Sequence, residues 1–451
     1  MGKRLFGTDG IRGVAGASPL DRKTVTALGV ALGNDLKARG LAGSPILIGP
    51  VLIGMDTRES GPAIAAELAD GLDRSGIAVR FAGVVTTPGV AYLARTGGFS
   101  AGVMISASHN PFLDNGIKIF ARTGYKLPDD EEHEIEEEIF RILPGVDATA
   151  SPFTLTPNFD VKPYLDFLLS TVPAGLAGMK VVLDCGNGAA SGLAPALFRA
   201  AGAEVTAIFD KPDGRNINLN CGALHVESLR AAVLESGADA GVAFDGDADR
   251  AMLISPSGRL IDGDAAMLIA ARRLKGDGHL TGNVVVSTVM SNLGLEKALE
   301  NLGIGMVRTA VGDKYVLEEM LRREGALGGE QSGHMIFRDF ATTGDGMLTG
   351  LKILETGVKE NSSLDDLASD LVVYPQLLVN IRVKERKPIE EMPDVLREIA
   401  ACESALNGTG RVLVRFSGTE PLARVMVEGP DSATVENWAE KIASAIRAEL
   451  G

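Results

Sequence analysis

The chain has 451 residues, of which 45% are apolar and 23% charged. That is enough apolar surface for several packed cores, so a wholly disordered chain is excluded and two to four domains are expected. Acidic side chains outnumber basic ones by 59 to 44, a net charge of −15. Such a balance argues against a general nucleic-acid surface and requires any bound anion to meet locally gathered positive charge.

Taken in chain order, the N-terminal run Met1–Gly13 has basic residues but no apolar stretch after them, and does not read as a signal peptide. The longest apolar stretch, Ile46–Met55, is broken by Pro50 and is too short to cross a membrane. Three cysteines, Cys185, Cys221 and Cys402, are widely spaced with no Cys-x-x-Cys pair, so neither a disulfide framework nor a zinc cluster is expected. A reducing cytoplasm is the expected compartment. Strands are predicted at Val51–Met55, Ala78–Val85 and Gly102–Ser106, with a helix over Ala63–Ser75. The loop Ser106-Ala107-Ser108-His109-Asn110-Pro111 follows. Ser106 falls at the strand end, and Ser108 lies in the loop beside His109. A hydroxyl becomes a nucleophile when a base or metal activates it; an Asn-Pro turn with hydrogen-bonded hydroxyls is the plainer alternative. Lys118 brings an ammonium close to the same loop. The acidic run Asp129–Glu138 reads as the solvated face of a helix, and His133 within it is given no role.

Further strands are predicted at Lys180–Asp184, Glu204–Phe209 and Ala240–Phe244, with helices over Leu193–Ala201 and Glu227–Ser236. Val181–Ser191 resembles a dinucleotide-binding fingerprint, but Ser191 replaces its third glycine, and a tight strand-to-helix turn is the better reading. Asp245-Gly246-Asp247-Ala248-Asp249 sets three carboxylates at alternate positions, the oxygen density a hard divalent cation wants. A calcium EF-hand fails here, because Arg250 and Pro256 stand where that loop needs Gly and Glu. Three carboxylates leave coordination open for a phosphate oxygen, as magnesium sites do. Strands Asn283–Ser287 and Gly305–Thr309 and a helix over Tyr315–Arg323 lead to Gly329-Glu330-Gln331-Ser332-Gly333-His334, whose carboxylate, hydroxyl and imidazole suit sugar hydroxyls.

Each of the three loops follows an apolar strand, as expected for one per α/β unit. The tail differs. Strands Leu378–Val383, Arg411–Ser417 and Arg424–Glu428 precede a helix with Val435, Trp438, Ile442, Ile446 and Leu450 on one face, a small α+β unit with Trp438 in its core. Arg415-Phe416-Ser417-Gly418-Thr419, followed by Arg424, gathers hydroxyls and backbone N–H groups between two guanidiniums, a phosphate cradle. Arg12, Lys118 and Arg250 are further candidates for the positive charge an anion needs.

In this order, these motifs resemble the α-D-phosphohexomutase superfamily over essentially the whole chain. The resemblance takes in Phe6–Gly13, Asp56-Thr57-Arg58, the serine loop, the triple-Asp loop, Val311–Val316, the Glu330 loop with Thr342-Thr343-Gly344-Asp345-Gly346, and the Arg415 loop. Gln331, Val311–Val316 and Thr342–Gly346 are similar to the branch that acts on glucosamine phosphates. The branch acting on mannose and glucose phosphates, which usually carries another residue at the Gln331 position, is the alternative. A phosphosugar phosphatase and a silent phosphosugar-binding regulator stand further from the motifs.

The resemblance implies four domains around a central cleft: three related α/β units with mixed sheets and a smaller C-terminal α+β domain, over 1–155, 156–256, 257–371 and 372–451. It implies an isomerase that interconverts glucosamine 6-phosphate and 1-phosphate on the route to UDP-N-acetylglucosamine, through a phosphoserine and a 1,6-bisphosphate. The phosphoserine would be Ser108, and one magnesium ion would be held by Ser108, Asp245, Asp247 and Asp249. Lys118 and His334 are implied for proton transfer, and Arg12 and His109 for orienting the phosphoserine, with Arg250 adding positive charge. Glu330 and Ser332 would hold sugar hydroxyls. Arg415, Ser417, Gly418, Thr419 and Arg424 would grip the phosphate at the unreacting end. Glucosamine or glucose 1,6-bisphosphate is implied as an activator. An activating kinase and a homodimer are compatible with the resemblance; nucleic acid and membrane are not expected as partners.

Overall fold

A computed structural model describes residues 5–7, 9–43, 48–147, 154–416 and 421–451. Its apolar runs become strands where both faces are covered, which is why Val51–Met55 and Ala101–Ile105 are buried almost throughout. The first sheet comprises β1 (Phe6–Gly7), β2 (Gly10–Val14), β3 (Val51–Met55), β4 (Val79–Val84), β5 (Ala101–Ile105) and β6 (Asp114–Ala121), in the order β1-β2-β6-β5-β3-β4. β3 is parallel to β4 and β5, whereas β6 is antiparallel to β5 and β2. The reversal sets Lys118 of β6 opposite Met104 of β5, and Arg12 of β2 opposite Gly116. Two cationic residues thereby stand on neighbouring strands close to the loop that leaves β5.

The second sheet contains β7 (Lys180–Asp184), β8 (Glu204–Ile208), β9 (Ala240–Phe244), β10 (Ala251–Ile254) and β11 (Leu260–Ile261), ordered β11-β10-β9-β7-β8. The third contains β12 (Val284–Thr288), β13 (Gly305–Thr309), β14 (Leu327–Gly329) and β15 (Met335–Phe337), ordered β13-β12-β14-β15. Both are mixed, with β7 parallel to β8 and β9, β12 parallel to β14, and antiparallel pairs at β9–β10 and β14–β15. β5 and β9 each end on the residue before one of the polar loops, and β14 ends on Gly329, the first residue of the third. The fourth sheet is antiparallel and smaller: β16 (Gln376–Arg382), β17 (Arg411–Phe416) and β18 (Leu422–Glu428), ordered β16-β18-β17. The helices Pro393–Leu406 and Ser432–Leu450 cover it, burying Val395, Cys402, Ile442 and Ile446 with Val425 and Val427. Trp438 packs half-buried on this core, with the Lys441 ammonium 4.2 Å from its ring centroid. Three α/β units and a smaller α+β domain are thus the architecture.

Two compact units form, Met1–Val289 with Val307–Ala368, and Met290–Met306 with Ser369–Gly451. In the second, the helix Leu293–Asn301 is tied to the C-terminal sheet: Leu293 N donates to the buried Glu428 Oε1 at 2.8 Å. Asn292 grips Tyr374 twice, donating to its carbonyl and accepting from its N–H, both at 2.9 Å.

One expectation is corrected. The acidic run is a helix, Asp129–Ile142, but it is not wholly solvated. Glu136 is 3% exposed, and its Oε2 accepts from Leu5 N and Phe6 N at 2.7 and 3.2 Å. Its neighbours on the other face keep to water; His133 meets Glu137 at 3.3 Å on the surface. Cys185, Cys221 and Cys402 are free and buried. Among the described residues, no helix is long and apolar enough to cross a membrane.

Candidate active site

Ser108 sits in the loop after β5 with φ of 52°, a left-handed conformation that costs a non-glycine residue free energy. The loop holds it there by satisfying its backbone. Ser108 N donates to Ser106 Oγ at 2.9 Å, and Ser106 Oγ in turn donates to Asp56 Oδ2 at 2.6 Å. Arg58, whose side chain is fully buried, uses its guanidinium donors on the same loop. Nε reaches Asp56 Oδ2 at 2.9 Å, Nη2 reaches the carbonyls of Ser108 and Asn110 at 2.9 and 2.8 Å, and Nη1 reaches those of Asp114 (3.0 Å) and Pro111. These five acceptors match the five N–H groups of arginine, which a lysine cannot reproduce. Arg58→Lys keeps the charge beside Asp56 but leaves carbonyls of the loop without donors, at about 1–3 kcal/mol for each acceptor left unsatisfied, and should loosen the loop accordingly. Amide exchange over Ser106–Asp114 checks this; unchanged protection would remove the assignment.

The strained serine faces the acidic loop after β9. Ser108 Oγ donates to Asp245 Oδ2 at 2.6 Å and lies 3.1 Å from His109 Nδ1. Gly246 makes this approach possible, since a Cβ there would lie 2.5 Å from the Ser108 carbonyl oxygen. Burial, then Arg250 and Arg12, pull the His109 pKa down to about 4. His109 is therefore neutral at pH 7. Ser108 Oγ thus sits between the Asp245 carboxyl and the neutral His109 ring, within hydrogen-bond distance of both.

Asp245, Asp247 and Asp249 are all buried, and one ligand oxygen from each lies within 4.8 Å of the others. Burial, and then the charges of Asp249 and Asp247, raise the Asp245 pKa well above the carboxylate range. At Asp249 burial is outweighed by Lys118 and His334, and its pKa falls well below that range. Asp247 Oδ2 accepts from Thr87 Oγ1 at 2.6 Å and from Lys118 Nζ at 2.9 Å, while its buried Oδ1 has no hydrogen-bond partner among the described residues. Asp249 Oδ1 has no hydrogen-bond partner among the described residues; His334 Nδ1 lies 3.7 Å and Arg250 Nε 3.8 Å from it. Crowded carboxylates with unused buried lone pairs and all-oxygen donors fit a hard divalent cation.

Lys118 is 1% exposed and bridges Asp247, Asp9 (3.0 Å) and Asp249 (3.4 Å). Burial alone would lower its pKa, but Asp247, Asp9 and Asp249 outweigh it and hold the ammonium well above the usual lysine value. His334, 3% exposed, accepts from Gly344 N at Nε2, 3.0 Å away. Burial lowers its pKa and Asp249, Asp313 and Glu330 raise it, with a net rise, while the Gly344 N–H favours the neutral ring. Arg12 Nη2 meets Asp9 at 2.5 Å, and the buried Nε atoms of Arg12 and Arg250 have no hydrogen-bond acceptor among the described residues, which suits them to an anion.

Glu330 is held ready rather than free. Its Oε1 accepts from Gly312 N at 2.9 Å and its Oε2 from Ser332 Oγ at 3.1 Å. Gln331 turns toward Asp262, 3.5 Å away, at the start of the helix Gly263–Gly276. In the second unit, Arg415 and Arg424 are directly paired across β17 and β18. Burial, then Arg424, lower the Arg415 pKa. Two like charges opposed on one sheet face are destabilising by themselves, and an anion relieves them. Ser417, Gly418 and Thr419 lie outside the described residues.

Several site residues were not singled out by the sequence reading. Asp9 gathers Arg12, Lys118 and Lys126, and Lys126 Nζ joins Asp9 to Asp313, 2.5 Å from each. Thr87 holds Asp247, as described. Asp9 and Asp313 were inside quoted motifs, but nothing local marks which lysine each will meet.

Four phosphoglucomutase/phosphomannomutase domain models match this chain in succession. They are the α/β/α domains I, II and III over residues 3–144, 162–258 and 262–374, and the C-terminal domain over 378–445. The phosphoglucosamine mutase of Solibacter usitatus is 58% identical over 452 residues, covering 100% of both chains. That of Koribacter versatilis is 50% identical and covers 100% of this chain and 98% of its own. In fold, a phosphoglucomutase/phosphomannomutase family protein from Burkholderia thailandensis matches with a TM-score of 0.78 at 24% identity, covering 98% of this chain and 97% of its own. With all four domain models in order and full-length relatives at this identity, the chain belongs to the phosphoglucomutase/phosphomannomutase family, the α-D-phosphohexomutases, and is an isomerase.

Proposed function

We propose that the chain interconverts glucosamine 6-phosphate and glucosamine 1-phosphate, with Ser108 as the carrier of the transferred phosphoryl group. The observation that carries this reading is the Ser108 hydroxyl, held in a strained conformation 2.6 Å from an acidic cluster. Phosphorylated Ser108 gives its phosphoryl group to the sugar 1-hydroxyl, forming a 1,6-bisphosphate; after the sugar turns over, the 6-phosphoryl group returns to Ser108. Asp245, Asp247 and Asp249, with an oxygen on Ser108, are the residues that would hold magnesium. When bound, that ion supplies charge neutralisation at the phosphoryl oxygens.

The rest of the chemistry belongs to the chain. Lys118, Arg12 and Arg250 bring positive charge to the phosphoserine, and His109 orients Ser108 Oγ. Glu330, braced by Gly312, and Ser332 accept and donate hydrogen bonds to sugar hydroxyls. Arg415 and Arg424 are the proposed grip on the second phosphate. Protein lacking the phosphoryl group would take its first one from a hexose 1,6-bisphosphate or a kinase.

Specificity constants on glucosamine, glucose and mannose phosphates test the reading. Glucosamine phosphate is expected to give the highest value. An equal or higher value for mannose phosphate would favour a phosphomannomutase/phosphoglucomutase, and stoichiometric free phosphate in place of isomerised product would favour a phosphatase.

A further inference from the structure

The run Val181–Ser191, which resembles a dinucleotide fingerprint, spends the amides of its turn inside the protein. Gly186 N donates to Asp184 Oδ1 at 2.9 Å, Asn187 N to the Phe209 carbonyl at 2.7 Å and Gly188 N to the Cys185 carbonyl at 2.9 Å. Ala189 N donates to the Gly246 carbonyl, in the acidic loop, at 2.8 Å. A bound pyrophosphate would need those amides. The turn meets the first α/β domain instead: Thr57 Oγ1, beside Arg58, donates to the Asn187 carbonyl at 2.6 Å.

The segment after β8 is drawn onto this turn. Asp184 Oδ2 accepts from Gly222 N, and the Gly186 carbonyl accepts from Asn218 N, both at 2.9 Å. Asn218 is left-handed, with φ of 57°, a conformation that asparagine and glycine take most readily. Its half-buried side chain crosses to the serine loop, where Nδ2 reaches the Ser108 carbonyl at 2.9 Å and the Asn110 carbonyl at 3.3 Å. Both neighbours are acceptors, so the amide presents its NH2 group to them and not its oxygen. Arg58 Nη2 reaches the same two carbonyls. A carbonyl oxygen has two lone pairs, and at Ser108 each α/β domain supplies a donor to one of them.

We infer that Asn218 is a positioning residue: from the domain that carries the acidic loop, it fixes the backbone of the loop that carries Ser108. Arg58 fastens the serine loop to its own domain, which does not set the distance from Ser108 to Asp245. The Asn218 amide does, because it holds the Ser108 carbonyl over Gly246, where an added Cβ would lie 2.9 Å from Asn218 Nδ2 as well as 2.5 Å from that carbonyl oxygen. Ser108 Oγ is thereby set 2.6 Å from Asp245 Oδ2. Phosphoryl transfer depends on this register, since a misplacement of about 1 Å can cost about 10²-fold in rate. The inference rests on the proposed mutase reaction for its kinetic readout, but not for its structural one.

The left-handed backbone makes the test clean. Glycine at 218 keeps the conformation and removes only the amide, while aspartate keeps the shape but sets an oxygen against two carbonyls. Asn218→Gly should lower kcat about 10- to 100-fold in both directions, with KM within about threefold of wild type, assayed with hexose 1,6-bisphosphate present. Asn218→Asp should fall at least as far. Amide exchange over Ser106–Asp114 should quicken in both variants, while exchange in β7 and β8 stays as in wild type. Asn220→Gly, at an exposed position of the same conformation with φ of 53°, should match wild type in kcat and in exchange. An asparagine kept for its backbone alone predicts wild-type kcat in Asn218→Gly and Asn218→Asp, and that result overturns the inference. A loss confined to KM, or an equal loss in Asn220→Gly, overturns it too. If Asn218→Gly does not fold, Asn218→Asp decides by the same measurements. A wild type without mutase activity, whose serine loop still quickens in Asn218→Gly, supports the positioning and counts against the reaction.

Discussion

Ser108→Ala is expected to lose mutase turnover by about four orders of magnitude or more, as removal of a covalent nucleophile does. Ser106→Ala should keep a measurable fraction. The two hydroxyls are two residues apart but differ in what they can reach. Ser106 is fully buried, and its Oγ is committed at both ends, donating to Asp56 and accepting from Ser108 N. Its loss leaves buried polar groups short of partners, a cost of about 1–3 kcal/mol in loop order. Ser108 has no such structural duty: its Oγ is aimed at Asp245 and His109. Turnover assays on both variants, with intact-mass measurement of the phosphoryl group, separate the two roles. The wild type should carry one phosphoryl group that Ser108→Ala cannot accept, and wild-type-like kcat in Ser108→Ala would end the assignment.

Asp247→Asn should weaken divalent-cation binding about 10- to 100-fold and lower turnover at least as much, while the protein remains folded. The hydrogen bonds dictate how the amide sits. Asp247 Oδ2 accepts from Thr87 Oγ1 and Lys118 Nζ, so an asparagine must keep its carbonyl oxygen there. Its NH2 group is then forced to the Oδ1 position, which has no hydrogen-bond partner among the described residues and is the atom placed to bind a cation. The substitution thus replaces a ligand oxygen by a donor, and also removes one of the charges that hold the Asp245 pKa high. Calorimetric titration with magnesium after chelation, alongside activity against magnesium concentration, measures both effects. Curves that superimpose on wild type would remove the acidic loop from cation binding.

Much of the fold was legible locally. Strands at Val51–Met55, Lys180–Asp184, Ala240–Phe244 and Gly305–Thr309 stand where the apolar runs place them, and the Glu227–Ser236 helix likewise. For Val51–Met55 and Ala240–Phe244, apolar runs bounded by polar loops permit few other readings, since a strand covered on both faces needs no polar residues; Gly305–Thr309 is an edge strand, only partly buried, and was marked by Met306 and Val307 alone. Helix ends were less legible: the predicted Tyr315–Arg323 helix begins at Asp313, because Asp at a first turn reads equally well as loop. The carboxylates at alternate positions after Phe244 likewise announced a cation site by spacing alone.

The sequence by itself determined the three loops, the residue types in them and the four-part succession of domains. The tertiary structure alone decided which charges meet. Asp9 and Asp313 share Lys126 although 187 residues separate Lys126 from Asp313. Glu136, in a run that reads as solvent-facing, is buried against the backbone of Leu5 and Phe6. Arg58 proves to brace the serine loop, and Gly344 to lie on the His334 ring. The physical reason is common to these cases. Periodicity and composition report how a residue relates to its own helix or strand, whereas the partner of a buried charge or an N–H group is set by sheet order and loop approach, and no local pattern encodes those.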